Sequence, residues 1–357
     1  MTYIFFLSKN KSNIIPRAII LTIVLCLLFN IYAFKDIYSF SVTALTGSIT
    51  ADQPPNSYFP DAVSVSAIMA GNTLTAAEEE KIFKTSAVTG VELPYASGKV
   101  TYNNEYVIID ASNTSEGYVM LKYIGPKNNM RKIVQITSPN GAKYSYVYSN
   151  DDYAAYPLSE GNGEYSIKFL EDKGNNKATL LNGKNIKVSI KDDIVPFLYP
   201  NSYVNYNGNT KVVKIAAYLT KDLKNDIKKI EAIFTYVINT LKYDYELAKS
   251  VKSGYVPVLD TVISKKSGIC FDYSAVMTAM LRSVGIPAKM IFGYSGSTYH
   301  AWINTYTAET GWIGEIIKFD GKSWKLMDPT YASSLSTKEA FNKYVGDGKN
   351  YQAAYTY

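Results

Sequence analysis

Ser267-Gly268-Ile269-Cys270-Phe271-Asp272-Tyr273-Ser274 opens a long apolar segment, and its reading decides the fold of the C-terminal half. Val276, Met277, Ala279, Met280, Leu281 and Val284 follow, apolar almost all round, a pattern that belongs to a helix in a core. Gly285 and then Pro287 supply the stop. Strand candidates come next, at Lys289 to Tyr294, His300 to Tyr306, Ile316 to Phe319 and Trp324 to Asp328. One buried helix set against an antiparallel sheet predicts an α+β domain over residues 206–357. At its start, Leu223, Ile227, Ile230, Phe234, Val237 and Leu241 recur at helical spacing and predict an amphipathic helix with Thr220 as its cap.

Upstream the pattern changes. Between 97 and 196, short strand candidates run at Tyr106 to Ile109, Tyr118 to Ile124, Lys132 to Thr137, Tyr144 to Tyr148, Glu164 to Leu170 and Ile186 to Ile190. Turn clusters such as Pro126-Lys127-Asn128-Asn129 and Gly161-Asn162-Gly163 separate them. Strands at that spacing, with no helix-period segment between them, predict an all-β sandwich of immunoglobulin-like type. Residues 36–95 hold few regular signals and read as a tether, with one short helix candidate at Ala76 to Phe83. Residues 1–35 carry Lys9, Lys11, Arg17 and Lys35 and no acid, with the uncharged run Ala18 to Phe34 between the last two. That is the pattern of a signal peptide or a signal anchor, and its length leaves both readings open. The expectation is an exported chain, either secreted or held at the cell surface by this segment.

The net charge of +6 falls to +2 once those four basic residues are set aside. The basic balance therefore belongs to the N-terminal flank and gives no case for a nucleic-acid partner. One histidine and two cysteines in 357 residues exclude a histidine- or cysteine-spaced catalytic zinc site, and no phosphate-binding glycine loop is present. No cofactor or metal is expected. Beyond residue 35 the chain keeps Cys270 alone, so no intrachain disulfide forms there and stability rests on burial.

Cys270, His300 in Tyr299-His300-Ala301-Trp302, and Asp328 in Met327-Asp328-Pro329-Thr330 are a thiol, an imidazole and a carboxylate in one chain order. These are the parts of a thiol-nucleophile triad. Gly268 permits a tight entry that puts Cys270 in the first turn of its helix, where unpaired N–H groups and the dipole favour negative charge. His300 would act as proton donor to the leaving amine and Asp328 would orient the imidazole. The N–H of Cys270 is one candidate oxyanion donor, and the phenol of Tyr243, in Lys242-Tyr243-Asp244, is a second. Taken singly, each has an ordinary structural reading: a small apolar filler, a hydrogen-bonded histidine, a turn, a packed tyrosine. Trp302, Trp312 and Trp324 read as packing, and Arg282 as the partner of a carboxylate near the helix end.

The motifs resemble the transglutaminase-like superfamily, a branch of the papain-like thiol enzymes, over residues 210–335. The carriers are the Cys270 motif, Leu281-Arg282-Ser283-Val284-Gly285-Ile286-Pro287-Ala288, Phe292-Gly293-Tyr294, His300-Ala301-Trp302 and Met327-Asp328-Pro329-Thr330. The resemblance implies a papain-like core with Cys270 as nucleophile, His300 as base and Asp328 as orienting acid. It implies a protein or peptide substrate, with cell-envelope proteins as candidates, processed through a thioester by water or by an amine. The chain departs from the pattern at Glu309-Thr310-Gly311-Trp312-Ile313-Gly314-Glu315, longer than the usual hairpin. Superfamily members include enzymes and inactive scaffolds, so a non-catalytic surface module is the alternative.

Overall fold

The computed structural model describes residues 73–149, 151–175, 177–313, 329–334 and 351–357, all within one unit, Ala51–Tyr357. The N-terminal apolar run, most of the tether, the strand candidates at 316–319 and 324–328, Trp324 and Asp328 lie outside the described residues. Among those described, no helix is long and apolar enough to cross a membrane.

The helix candidate at 76–83 is present as α1 (Ala76–Phe83), with Thr75 and Glu78 forming a reciprocal capping box. It is docked: Glu79 and Ile82 are buried, and Leu74, Val88 and Val91 around it pack against the core.

Eight strands follow: β1 (Thr101–Asn103), β2 (Val107–Asp110), β3 (Tyr118–Tyr123), β4 (Lys132–Thr137), β5 (Lys143–Tyr148), β6 (Ala154–Pro157), β7 (Gly163–Gly174) and β8 (Lys177–Val188). They make two four-stranded antiparallel sheets, ordered β1-β2-β3-β6 and β5-β4-β7-β8. Strict alternation of burial along β4 and β5 gives the second sheet one apolar face. That face meets the first sheet through ring pairs: Tyr123 stacks on Phe169 at 5.9 Å and Tyr146 meets Tyr156 edge-on at 5.1 Å. Sequence reading missed β1 and β6, which are short, and underestimated β7 and β8. The far half of that hairpin is largely exposed and carries no alternation to betray it.

In the C-terminal half, two helices stand where one was expected. α2 (Lys211–Thr220) precedes α3 (Asp226–Thr240). Thr220 is not the cap of α3; it closes α2, its hydroxyl donating to the Ala216 carbonyl at 2.8 Å. Asn225 caps α3 by accepting from the Lys228 N–H. Then come β9 (Lys242–Tyr243), α4 (Tyr245–Ser250), α5 (Leu259–Lys265) and β10 (Ser267–Gly268), ahead of the apolar helix α6 (Cys270–Ser283). Gly285 takes a left-handed φ of 82° just past α6, as a stop glycine should. β11 (Ala288–Ser295), β12 (Thr298–Thr307), β13 (Gly311–Ile313) and β14 (Tyr351–Thr356) build an antiparallel sheet ordered β13-β12-β11-β14. A short helix, α7 (Pro329–Ser334), lies between β13 and β14 in the chain. α6 packs against β11 and β12 on one side and against α2, α3 and α5 on the others.

One apolar cluster runs through both regions. Its junction is aromatic: the buried Tyr357 ring contacts Tyr144, Tyr146 and Tyr203 as well as Phe292. Ser159 also donates to the Thr356 carbonyl at 2.7 Å.

Candidate active site

Cys270 is the first residue of α6, and Ile269, in extended conformation, is its N-cap. An isoleucine offers no capping oxygen, and Asp272 at the third helical position supplies only the reciprocal half of a capping box. Its carboxylate accepts the Ile269 N–H at 2.7 Å and the Tyr255 hydroxyl at 2.6 Å. Burial raises the Asp272 carboxyl above the ordinary aspartate range, opposed by these two hydrogen bonds. Because Asp272 folds back so tightly, a methyl group at Gly268 would sit 2.4 Å from its Cβ. Glycine at 268 is therefore a packing requirement. Phe271 through Ser283 are all buried; Cys270 is half-buried and carries a free thiol. Cys270 is the one residue of the helix that is not buried.

The turn into the helix is held from the side. β10 pairs in parallel with β9, Ser267 opposite Lys242 and Gly268 opposite Tyr243. The Asp244 N–H donates to the Gly268 carbonyl at 2.9 Å. Tyr243 is thus brought beside the residue two before Cys270, half-buried, with its ring 5.0 Å from that of Tyr245.

His300 lies on β12, directly opposite Gly293 of β11, and is 4% exposed. Its ring lies 6.4 Å from the nearly parallel indole of Trp302, and 6.4 Å from Tyr351. Trp302 in turn meets Tyr351 edge-on at 5.2 Å. A methyl group at Gly293 would come within 2.7 Å of the Trp302 indole and 2.0 Å of the Gln352 carbonyl oxygen. The glycine of Phe292-Gly293-Tyr294 thus makes room for both the indole and β14. Trp302 is 3% exposed and packs, as expected, but packs onto His300.

Asp328 lies outside the described residues. α7 begins at the next residue, and its Ser333 hydroxyl donates to the Tyr273 phenol of α6 at 3.0 Å. Burial pushes the Tyr273 phenol up to about 12. The Asp-Pro-Thr motif therefore continues into a helix laid against the helix of Cys270.

Arg282 corrects an expectation. It pairs with no side-chain carboxylate among the described residues. Its guanidinium, fully buried, donates to the Ala288 carbonyl from two nitrogens, and to main-chain oxygens of Tyr199 and Tyr357. The fork shape of the group lets it join three chain segments where a carboxylate partner would join one. In the long hairpin, Gly311–Ile313 fold back as β13 on Thr305–Thr307, while Gly314 and Glu315 lie outside the described residues. Trp312 contacts Phe197 and Tyr306, with the Lys289 ammonium 3.8 Å from its ring. Burial holds that ammonium below the usual lysine range.

Sequence reasoning passed over Asp272, Tyr255 and Tyr351. Asp272 had a signal, an acid at the third position of a helix whose N-cap has no polar side chain. Tyr255 and Tyr351 had none, because their roles depend on partners far away in the chain.

Residues 213–329 match the family model described as "Transglutaminase-like superfamily". The match covers about one third of the chain, and this mixed α/β core is transglutaminase-like. Three curated relatives are similar. The uncharacterized protein YebA of Bacillus subtilis is 26% identical over 148 residues, covering 36% of this chain and 20% of its own. A UPF0252 protein of Methanocaldococcus jannaschii is 26% identical over 265 residues, covering 66% of this chain and 72% of its own. A protein-glutamine gamma-glutamyltransferase of Pseudomonas aeruginosa is 29% identical over 97 residues, covering 23% and 13%. The chain thus spans about one fifth of the Bacillus protein's length and less of the Pseudomonas enzyme's.

Proposed function

We propose that the chain is an exported or membrane-anchored thiol enzyme that acts on peptide-type amides through Cys270, His300 and Asp328. The observation that carries the reading is the exposure pattern of α6: thirteen residues are buried and Cys270, the free cysteine at its N-terminus, is not. A structural cysteine would be expected among the buried residues. The similarity of residues 213–329 to the transglutaminase-like superfamily supports the same assignment.

In this reaction the Cys270 thiolate attacks a carboxamide carbonyl, and the oxyanion takes hydrogen bonds from the Cys270 N–H and Tyr243. The C–N bond breaks as His300 protonates the nitrogen, leaving an acyl-thioester and free amine or ammonia. Asp328 orients the His300 ring. A second amine or water then attacks the thioester, regenerating the thiol. The name of the Pseudomonas relative favours glutamine side chains as acyl donors and amines as acceptors. The upstream sheets support the immunoglobulin-like reading: without β1, their order is a three-stranded β2-β3-β6 sheet facing β5-β4-β7-β8. With the N-terminal basic-apolar segment, that region would hold the catalytic part out from a membrane, near envelope protein.

The burial of His300 to 4% favours the competing reading, a non-catalytic module of the same fold. The two separate on the alkylation rate of Cys270 against pH, read by peptide mapping of the full chain and of its His300→Ala variant. An enzyme gives fast alkylation well below pH 8 that the variant slows. An ordinary thiol profile, indifferent to His300, would sink the enzyme reading.

A further inference from the structure

Glu79 sits in the middle of α1 and is 4% exposed, far along the chain from the segment that carries the family likeness. One carboxylate oxygen accepts the Tyr236 hydroxyl of α3 at 2.8 Å. The other lies 2.7 Å from the Lys266 ammonium. Burial, and then this carboxylate, raise the Tyr236 phenol above its ordinary range.

Lys266 is not an ordinary partner. It caps α5 in the left-handed region, with φ at 53°, where a lysine is disfavoured and a glycine is the usual choice. Its carbonyl accepts the Lys242 N–H at 2.9 Å, and the next two residues form the β9–β10 bridge beside Tyr243. Cys270 follows closely. Lys266, its side chain 41% exposed, thus links the buried Glu79 to the turn that leads into the Cys270 helix. α1 is itself fixed from outside that turn: the Lys214 ammonium donates to the Phe83 and Thr85 carbonyls at 3.0 and 2.6 Å. The Val88 N–H donates to the Gly208 carbonyl at 2.8 Å.

We propose that Glu79 is a positioning residue for the thiol site: through Lys266 it fixes the β9–β10 bridge and with it the placement of Cys270 and Tyr243. The inference rests on the thiol-enzyme reading for its chemical consequence, though not for the clasp itself. It makes the segment ahead of the β-sheets part of the catalytic apparatus.

The test uses the full chain with Glu79→Gln, Lys266→Met, the double variant and Lys266→Arg. The Glu79→Gln change keeps an acceptor for Tyr236 and removes only the charge that holds Lys266. Two quantities are read: hydrogen exchange at the Lys242 and Asp244 amides, and the pH profile of Cys270 alkylation. Glu79→Gln is expected to speed exchange at those two amides about tenfold while the Ile233 amide in α3 keeps its protection. Alkylation is expected to slow and its profile to shift. Lys266→Met should do the same, the double variant no more, and Lys266→Arg should restore both. Unchanged exchange at both amides, additive effects in the double variant, or equal loosening of α3 would overturn the proposal. Should either single variant fail to fold, the other carries the comparison. If the wild-type thiol alkylates as an ordinary one, the enzyme reading fails alone, and the exchange data still decide the clasp.

Discussion

Gly293 and Trp302 share one volume: the indole occupies space that any β-carbon at 293 would need, leaving 2.7 Å between them. The Gln352 carbonyl closes the same space at 2.0 Å from the other side, and a backbone atom paired in a sheet has little room to yield. Gly293→Ala is therefore expected to cost about 3 kcal/mol of stability, measured by chemical denaturation, and to detach β14 or displace the indole from His300.

Tyr255→Phe removes the hydroxyl that Asp272 accepts at 2.6 Å. Where the carboxylate is ionised, above its folded pKa, the loss should be about 2 kcal/mol. The folded Asp272 carboxyl titrates above its ordinary value of 3.8, chiefly because it is buried. An acid raised in the folded state loses stability as pH rises through its folded pKa, and the Tyr255 hydroxyl offsets part of that loss. The penalty of the variant should thus shrink as pH falls through the folded pKa of Asp272. Urea midpoints of both proteins at a series of pH values check this. A constant difference would place the hydroxyl's contribution elsewhere.

Arg282→Lys keeps the charge and loses the fork. Three main-chain oxygens now served by one guanidinium would share a single ammonium in a fully buried site. The expected cost is about 3 to 5 kcal/mol, and Arg282→Met should fare no better, since the Ala288 and Tyr199 carbonyls lose these donors while Tyr357 keeps the Met290 N–H. Thermal unfolding resolves a change of that size.

Glu171 on β7 is held by Lys173, Asn128 and Lys132, and its carboxyl is lowered from 4.5 to about 2. An acid depressed in the folded state contributes stability above its unfolded pKa, lost as pH falls through the folded value. Glu171→Gln should therefore be less stable than the wild type at neutral pH. The gap should close between pH 4.5 and about 2. A gap that persists at the acid end would count against an ionic origin.

The parts of the fold that could be read in advance are those whose signal is local. α6 announces itself by an apolar run bounded by Gly268 and by Gly285 with Pro287, and its observed span, Cys270–Ser283, follows. β4 and β5 alternate residue by residue. α2 stayed hidden because Lys214 interrupts its buried side; the ammonium is accommodated by the Phe83 and Thr85 carbonyls, more than a hundred residues away. β14 is a strand because β11 offers it an edge, and Tyr-Gln-Ala-Ala-Tyr-Thr has no strong period of its own. The candidate residues were local signals too: Cys270 and His300 stand in compact motifs. The contacts around them are not local: Tyr255 meets Asp272, Tyr351 lies beside His300 and Glu79 pairs with Lys266, and only the folded chain joins them.

The pairing of β14 with β11 also has a temporal side. Ile291 finds its partner in Thr356, and the hydrogen bond from Ser159 to Thr356 spans 197 positions. In chain order β11 and β12 precede that partner, so the β11 edge stays open until β14 docks on it. Closure of the sheet, insertion of the Tyr357 ring among its aromatic neighbours and capture of the Arg282 fork then coincide. The scaffold around His300 is therefore complete only when the segment at 351–357 is in place, and the thiol and the strand that closes the sheet lie far apart in the chain.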